Sequence, residues 1–206
     1  MLFRSRKITF MSHRTQDLPP LHGFARLLRE LRYHEASRQF LAITFIVLFT
    51  STSQPTLLLF AVSVPLVLAG VVLRLSASGH ILKNEELTTT GPYSLVRHPL
   101  YSGNIMIILG FSISCGSWWA APLALVFFYF YYPTAIEYED RKLRKLFGSP
   151  WECWVQNVPS LIPRLKNFGA ISTGKWSFIK SIRKNGEPVI TSFILCCLVL
   201  VAQKLP

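Results

Sequence analysis

Side chains able to bind a charged ligand are concentrated in residues 91–103, which read GPYSLVRHPLYSG. Proline lacks a backbone N–H and disfavours helix in the residue before it, so it suits the first turn of a helix. We therefore expect a helix to begin at Pro99, with His98 just outside it. The first free backbone N–H groups of that helix, near Tyr101 and Ser102, would form an anion site. The stretch predicts a polar binding site at the mouth of an apolar helix.

Five apolar segments must position this stretch, and each is a candidate membrane span. They cover residues 40–50, 56–75, 99–114, 118–132 and 189–202. A span needs about 20 apolar residues, so the short first segment predicts that a preceding helix continues into it. The expected fold class is all-α: a polytopic helical membrane protein with about five transmembrane helices and a cytosolic helical cap.

The placement of charge predicts the topology of these segments. Residues 1–38, 77–98 and 134–187 hold 20 of the 22 lysines and arginines, whereas the turns at 51–55 and 115–117 hold none. Cytosolic loops of membrane proteins carry an excess of these residues. The three long segments are therefore expected in the cytosol and the two short turns on the opposite side.

Four regions follow from this topology. The expected regions are a basic N-terminal segment (1–38), a transmembrane core of two helical hairpins (39–133), a cytosolic insert (134–169), and a basic linker with the fifth transmembrane helix (170–206). Within the first region, Phe24, Leu27, Leu28 and Leu31 repeat at helical spacing among arginines. That pattern is typical of an amphipathic helix on a membrane surface, although a solvated helical lead-in to the first span has the same pattern.

Composition favours a membrane protein over a nucleic-acid-binding one. Half of the residues are hydrophobic, the mean hydropathy is +0.36, and charged residues make up 16% of a chain with a net charge of +12. No RRM-, KH- or OB-type pattern is present in the sequence, so no nucleic-acid partner is expected. The four cysteines have no metal-ligand spacing, and no metal site is predicted.

Three sequence blocks resemble the isoprenylcysteine carboxyl methyltransferase family and the related phospholipid methyltransferases, over about residues 74–165. The first block is ELTTTGPY (86–93) followed by RHPLYSG (97–103) at the head of a span. The second is the acidic pair Glu139 and Asp140, which lies after a hairpin of two spans and before Phe147 and Gly148. The third is the V-P-x-L-I-P tail at 158–163, with Trp151 and Trp154 at the family's tyrosine positions.

The resemblance implies that the chain uses S-adenosylmethionine, held at the cytosolic ends of the spans under a lid formed by the insert. Carried over residue by residue, it implies a cofactor site made of Tyr93, His98, Pro99, Leu100, Tyr101 and Glu139, approached by Glu85, Glu86, Leu87 and Thr88. Arg97 is a candidate contact for the substrate or for a phosphate. No catalytic base is assigned, and the expected substrate is a membrane lipid or a prenylated molecule.

One departure leaves the methyl acceptor open. The eukaryotic prenylcysteine enzymes have an arginine one helical turn before the glutamate that matches Glu139, whereas this chain has Ala135 there. A phospholipid amine is therefore an alternative acceptor. A fold-related membrane reductase and a non-catalytic membrane scaffold are alternatives of another class. The expected location is the endoplasmic reticulum membrane in a eukaryote or the inner membrane in a bacterium, with the cofactor site facing the cytosol.

Several site residues also have ordinary structural interpretations. His98 could serve only as a helix cap, and Glu139 could be an ion-pair partner of Arg141 or Lys142. Glu137 and Asp140 are expected to be solvated rather than functional.

Overall fold

The structure is a computed structural model that describes residues 13–81, 86–163, 174, 176–182 and 186–206. Within these ranges every regular element is helical and no strand occurs, so the all-α prediction is confirmed for the described part of the chain.

The described residues include eight α-helices and one 3₁₀ turn. The helices are α1 (Gly23–Tyr33), α2 (Glu35–Thr52), α3 (Leu57–His80), α4 (Pro99–Ser114), α5 (Ala120–Phe147), α6 (Ser149–Asn157), α7 (Phe178–Lys180) and α8 (Glu187–Ala202). The 3₁₀ turn covers Gly91–Ser94 and lies directly before the predicted helix mouth.

Five of these helices, α2 to α5 and α8, occur at the five predicted spans. By length and composition, α3 is the one described helix long and apolar enough to cross a membrane, with 24 residues. Helices α4 and α8 are apolar but shorter, at 16 residues each. The helical content of the predicted core is thus present, and the five-span topology remains a prediction.

Helix α5 is longer than the predicted fourth span because it continues without a break into the predicted cytosolic insert. It passes through Pro133 and ends at Phe147, where Gly148 adopts a positive φ of 55°. Since glycine has no Cβ, it tolerates this backbone conformation and ends the helix. The uninterrupted helix carries Glu139 and Asp140 on the same rigid element as the apolar core.

The core lies among α2, α3, α4, α5 and α8. Helices α2, α3, α4 and α8 all contribute fully buried side chains to it, among them Phe49, Val67, Ile107, Phe111 and Val201. Helix α5 adds a row of aromatic rings, of which Phe127 packs edge-on against Phe45 at 5.2 Å between ring centroids. Close van der Waals packing of these side chains holds the helices of the bundle together.

Helices α3 and α4 approach each other so closely that glycine is required at the contact. A Cβ added to Gly103 would lie 2.8 Å from the carbonyl oxygen of Gly70 and 2.6 Å from Cγ of Arg74. The reciprocal Cβ on Gly70 would lie 2.7 Å from the carbonyl oxygen of Gly103. Small residues allow helix backbones to pack at this distance in membrane proteins.

Helix α1 forms where the sequence predicts an amphipathic helix, and its polar face packs on α5. Tyr33 donates to Glu137 at 2.7 Å, and Nε of Arg32 donates to the carbonyl of Phe130 at 3.0 Å. The opposite face is apolar and outward, with Phe24 79% exposed. An apolar face turned away from the protein favours the membrane-surface interpretation over a solvated lead-in.

The described part of the predicted basic linker packs against the end of α3. The indole N–H of Trp176 donates to the carbonyl of Leu75 at 3.2 Å, and the backbone N–H of Ser177 donates to Gly79 at 3.0 Å. The hydroxyls of Ser78 and Ser181 are 2.7 Å apart. Residues 176–182 are therefore part of the folded bundle, while residues 170–173, 175 and 183–185 of the predicted linker lie outside the described residues.

Substituting Gly103 by valine tests the α3–α4 contact. Valine would gain helix propensity, but its side chain would overlap the Gly70 backbone, and overpacking of this kind costs about 1–3 kcal/mol. We expect a lower melting temperature in detergent, measured by thermal unfolding. Ala69→Val, on the exposed face of α3, is the matched control and should change it little. Equal melting temperatures for the two variants would contradict the proposed contact.

Single cysteines test the five-span topology. In a chain whose four cysteines are replaced by serine, Ser51→Cys and Ser149→Cys would each present an exposed thiol. The predicted topology places position 51 and position 149 on opposite sides of the membrane. A membrane-impermeant maleimide should therefore label position 51 in vesicles of one orientation and position 149 in vesicles of the opposite orientation. Labelling of both from the same side would show that the span count is wrong.

Candidate functional site

The helix mouth forms as predicted, but its free backbone donors are fewer than predicted. His98 is the residue before α4, and Pro99 is its first residue. The N–H groups of Tyr101 and Ser102 both donate to the carbonyl of His98, each at 3.0 Å. The predicted anion site on these two groups is therefore wrong, because the first helical turn already uses them. Leu100 keeps an N–H without a partner among the described residues.

Asp140 joins the two basic side chains at this mouth. Its Oδ1 lies 3.1 Å from Nε2 of His98, and its Oδ2 lies 3.2 Å from Nη1 of Arg97. The Asp140 side chain is 19% exposed, so the expectation that it is solvated is wrong. The His98 side chain makes no capping hydrogen bond and lies parallel to the Tyr101 ring at 5.5 Å. The interpretation of His98 as a simple helix cap is therefore also wrong.

The tail of the insert is bonded to the same stretch through the backbone. The N–H of Arg97 donates to the carbonyl of Pro159 at 2.8 Å, and the N–H of His98 donates to Ser160 at 3.1 Å. The Ser102 hydroxyl donates to the carbonyl of Leu161 at 2.7 Å. These bonds explain why the V-P-S-L-I-P block and the RHPLYS block occur together in one chain: each satisfies the other's backbone groups.

Helix α6 completes this attachment through an aromatic side chain. The indole N–H of Trp154 donates to the carbonyl of Tyr93 at 3.3 Å, and both side chains are buried together with Ala77 and Val158. The 3₁₀ turn at Gly91–Ser94 is thereby held between the end of α3 and the insert. Loop residues 91–98 are thus fixed by neighbours on both sides.

A cavity of about 300 Å³ lies at the junction of these elements. Nine of the ten predicted cofactor residues line it: Glu86, Leu87, Thr88, Tyr93, His98, Pro99, Leu100, Tyr101 and Glu139. Glu85 lies outside the described residues. Arg97 lines the same cavity, so the structure brings the described part of the predicted set together.

The cavity is lined by charged groups of both signs that lack a full set of partners within the described residues. Glu139 forms no ion pair within the described residues, so the alternative pairing with Arg141 or Lys142 does not occur there. Arg97 lies within ion-pair distance of Asp140, yet its buried Nε and Nη1 donate no hydrogen bond in the described part of the protein. Unsatisfied buried donors are costly, and a ligand atom that accepts from them would remove the cost.

Tyr93 contributes a neutral aromatic face to the cavity. Burial raises the pKa of the Tyr93 hydroxyl far above its ordinary value, and the nearby Glu139 carboxylate raises it further. The phenol therefore stays protonated at any physiological pH. Together with Tyr101 it gives the cavity two rings that can contact a cationic group.

Two residues of the cavity wall come from the first described residues of the chain, which the sequence does not connect with the site. His13 and Arg14 line the cavity. Arg14 pairs with Glu35, lies over the Tyr138 ring at 4.6 Å, and accepts a hydrogen bond on its carbonyl from Arg141 at 2.8 Å. Apart from the basic character of this segment, no sequence signal indicates that these residues lie beside α5.

Within the described residues no group of three or more histidine, cysteine, aspartate or glutamate side chains is arranged to hold a metal ion. The fold and the site together define a class: a protein, all-helical in its described part, in which a loop–helix junction and a long helix that carries Glu139 and Asp140 enclose a small, charged and aromatic cavity.

Comparison with known proteins identifies this class more closely. Residues 57–150 match the family model described as Phospholipid methyltransferase, and the resemblance predicted from the sequence is confirmed over this segment. The Arabidopsis thaliana protein-S-isoprenylcysteine O-methyltransferase B is 32% identical over 90 residues, which cover 41% of this chain and 45% of the relative. No solved structure matches the chain.

Two bacterial relatives have names that refer to metal resistance. The nickel-cobalt-cadmium resistance protein NccN of Alcaligenes xylosoxydans xylosoxydans is 37% identical over 91 residues, covering 44% of this chain and 42% of the relative. The cobalt-zinc-cadmium resistance protein CzcN of Cupriavidus metallidurans is 36% identical over 104 residues, covering 50% and 47%. The matched part spans less than half the length of each of these relatives.

Removing the Ser102 hydroxyl tests the attachment of the tail. Ser102→Ala loses the hydrogen bond to Leu161, which contributes about 1 kcal/mol, and should loosen the adjacent backbone pairing. We expect faster amide hydrogen exchange in the peptide containing Arg97 and His98. Ser112→Ala is the control, because that buried hydroxyl bonds only within α4, to Leu109. Exchange that is unchanged in Ser102→Ala, or equally faster in the control, would argue against this attachment.

Proposed function

We propose that the chain is an integral-membrane, S-adenosylmethionine-dependent methyltransferase that acts on a lipidic or prenylated acceptor. The observation that carries the proposal is the cavity lined by both halves of the predicted site. Residues of the loop and the α4 mouth, 86–101, face Glu139 of α5 across about 300 Å³. This volume is at the lower end of the range for small-molecule sites.

The unpaired groups of the cavity match the charged ends of S-adenosylmethionine. A carboxylate of the ligand would accept from Nε of Arg97 and from the N–H of Leu100, at the positive end of the α4 dipole. The Glu139 carboxylate would accept from the ligand's ammonium or ribose hydroxyls. Arg97, which the sequence assigns to substrate or phosphate, is therefore proposed as a cofactor contact.

When bound, S-adenosylmethionine supplies a methyl group made electrophilic by the positive sulfonium. Tyr93 and Tyr101 line the cavity, and a cation over the face of a tyrosine ring is stabilised by about 0.5–2 kcal/mol. Asp140 holds His98 and Arg97 in place while leaving donors of Arg97 free. These residues orient the donor for an in-line transfer, for which positioning is the main catalytic contribution.

No residue of the cavity is proposed as a general base. A carboxylate acceptor is already a nucleophile, whereas an amine or hydroxyl acceptor would have to lose a proton. The family match to phospholipid methyltransferases keeps a phospholipid amine as the second candidate acceptor. The methyltransferase relatives favour this activity over a membrane reductase or a scaffold.

Substituting Glu139 tests the cofactor site. Charge-assisted hydrogen bonds contribute about 1.5–3 kcal/mol, so Glu139→Gln should weaken S-adenosylmethionine binding by roughly 10- to 100-fold. His98→Ala, which removes the stack on Tyr101 and the contact with Asp140, should weaken it as well. Binding of labelled cofactor to purified protein in lipid nanodiscs is the measurement, with NADPH as the competing ligand.

Glu152→Gln is the control, since Glu152 is an exposed carboxylate that pairs with Arg144 outside the cavity. The affinity of the Glu152→Gln variant for S-adenosylmethionine should equal that of the unmodified chain. Unchanged affinity in Glu139→Gln would remove that residue from the site. Binding of NADPH in place of S-adenosylmethionine would overturn the methyltransferase proposal itself.

A further inference from the structure

A second cavity, of about 400 Å³, lies deeper among α2, α4 and α8. Its apolar lining includes Ile43, Ile46, Ile190, Phe193 and Ile194, and its polar lining includes Arg38, Arg74, Asn104 and Glu187. A cavity with an apolar body and a few polar groups at one end fits an amphiphile.

The two cavities adjoin at three shared residues. Glu35, Leu100 and Tyr101 line both, so the second cavity meets the proposed cofactor site at the ring of Tyr101. A molecule in the second cavity would have its polar end at this junction, because the polar residues of the lining are on that side.

Arg38 is the charged group of the second cavity that no carboxylate pairs with among the described residues. It is 8% exposed, and its guanidinium lies over the Tyr101 ring at 5.2 Å from the centroid. The neighbouring charges are already neutralised. Arg74 forms a two-point ion pair with Glu187, at 3.1 and 2.5 Å, and Glu35 pairs with Arg14.

The apolar end of the second cavity opens to the outer surface of the bundle. Ile43 on α2 is 53% exposed and Ile190 on α8 is partly exposed, so both lie at the cavity's mouth. The opposite ends of these helices are fastened together, since Nζ of Lys204 donates to the carbonyls of Thr50 and Ser51 at 2.7 Å. A hydrocarbon chain could therefore leave between the first halves of α2 and α8.

We propose that the second cavity binds the methyl acceptor as an amphiphile whose oxyanion pairs with Arg38 and whose hydrocarbon chain lies between α2 and α8. The inference rests on the proposed methyltransferase function and adds the head-group charge of the acceptor. A buried arginine without a carboxylate partner is costly, and an oxyanion that accepts from its planar fork is the ligand chemistry that offsets the cost. The guanidinium stands at Tyr101, where the two cavities meet.

The oxyanion can belong to the reacting group or to its neighbour. If it is a carboxylate, its oxygen forms a bond to the methyl carbon, the carbon–sulfur bond breaks, and the electron pair stays on sulfur. No proton moves in that step, and the product is a methyl ester. If it is a phosphate, it anchors a lipid whose methyl-accepting group is separate.

Binding of matched amphiphiles tests the role of Arg38. The full chain in phosphatidylcholine nanodiscs is first loaded with the fluorescent fatty acid cis-parinarate. Palmitate, hexadecyl phosphate or hexadecanol, which share one chain length, are then added, and the loss of fluorescence measures how tightly each one displaces the probe. We expect the two anions to bind at least about tenfold more tightly than the alcohol, because a charge-assisted hydrogen bond replaces a neutral one. Arg38→Gln should abolish this preference, and Arg38→Lys should retain part of it.

Two further variants keep the test decisive. Arg26→Gln removes a cation of α1 that lines neither cavity and should leave the head-group preference intact. Ile190→Trp fills the mouth and should weaken all three probes together while keeping the preference. If Arg38→Gln does not fold, the head-group preference of the unmodified chain and the effect of Ile190→Trp still decide the proposal.

The fate of the methyl label separates the two sources of the oxyanion. Label from S-adenosylmethionine that alkali releases as methanol identifies a carboxylate acceptor, and alkali-stable label identifies a phosphate-bearing lipid with another acceptor group. Cofactor binding without any preference for anionic probes would overturn this inference alone. Failure of the unmodified chain to bind the cofactor would instead overturn the proposed function.

Discussion

The backbone pairing of Arg97 and His98 with Pro159 and Ser160 is the constraint on which the site depends. Proline leaves a helix start without one of its donors, and the extended residues before it have no helical partners of their own. Their N–H groups would be unsatisfied if the loop were isolated, and burying them would then be costly. The insert supplies the missing acceptors. The cavity can exist only when the insert is folded over the helix mouth.

Several buried charged groups are likewise held by partners from distant parts of the chain. Asp140 on α5 holds the two basic residues of the mouth, and Glu187 on α8 holds Arg74 of α3. Desolvation makes buried ion pairs poor sources of net stability, but breaking one leaves an uncompensated charge. Such pairs therefore fix how the helices are arranged relative to one another. Glu139 and Arg38, which form no ion pair within the described residues, line cavities, as does Arg97, whose Nε donates no hydrogen bond there.

The sequence predicts the local elements well because local chemistry determines them. Proline at position 99 starts α4 and glycine at position 148 ends α5, and both are evident without any tertiary information. The sequence predicts less about which helix faces meet. Successive residues on a helix point about 100° apart, so Glu139 and Asp140 meet different neighbours: Glu139 lines the cavity and Asp140 pairs with His98 and Arg97. Which of them is paired depends on the rotation of α5, and that is set by core packing. His13 and Arg14 lie more than 100 residues from Tyr138 and Glu139, at a separation that no periodicity reports.

The position of Ala135 shows how the acceptor side of such a site can change while the cofactor side stays the same. The resemblance leads one to expect an arginine there, yet Ala135 is buried against its neighbours and lines neither cavity. The arginine beside the junction of the two cavities is Arg38, which comes from α2 instead. Helix α2 lies outside the segment that matches the family, residues 57–150. A cofactor site built mainly from the loop before α4, from α4 and from α5 would therefore be retained with the family segment. The group proposed to select the acceptor would vary with the helix packed against it.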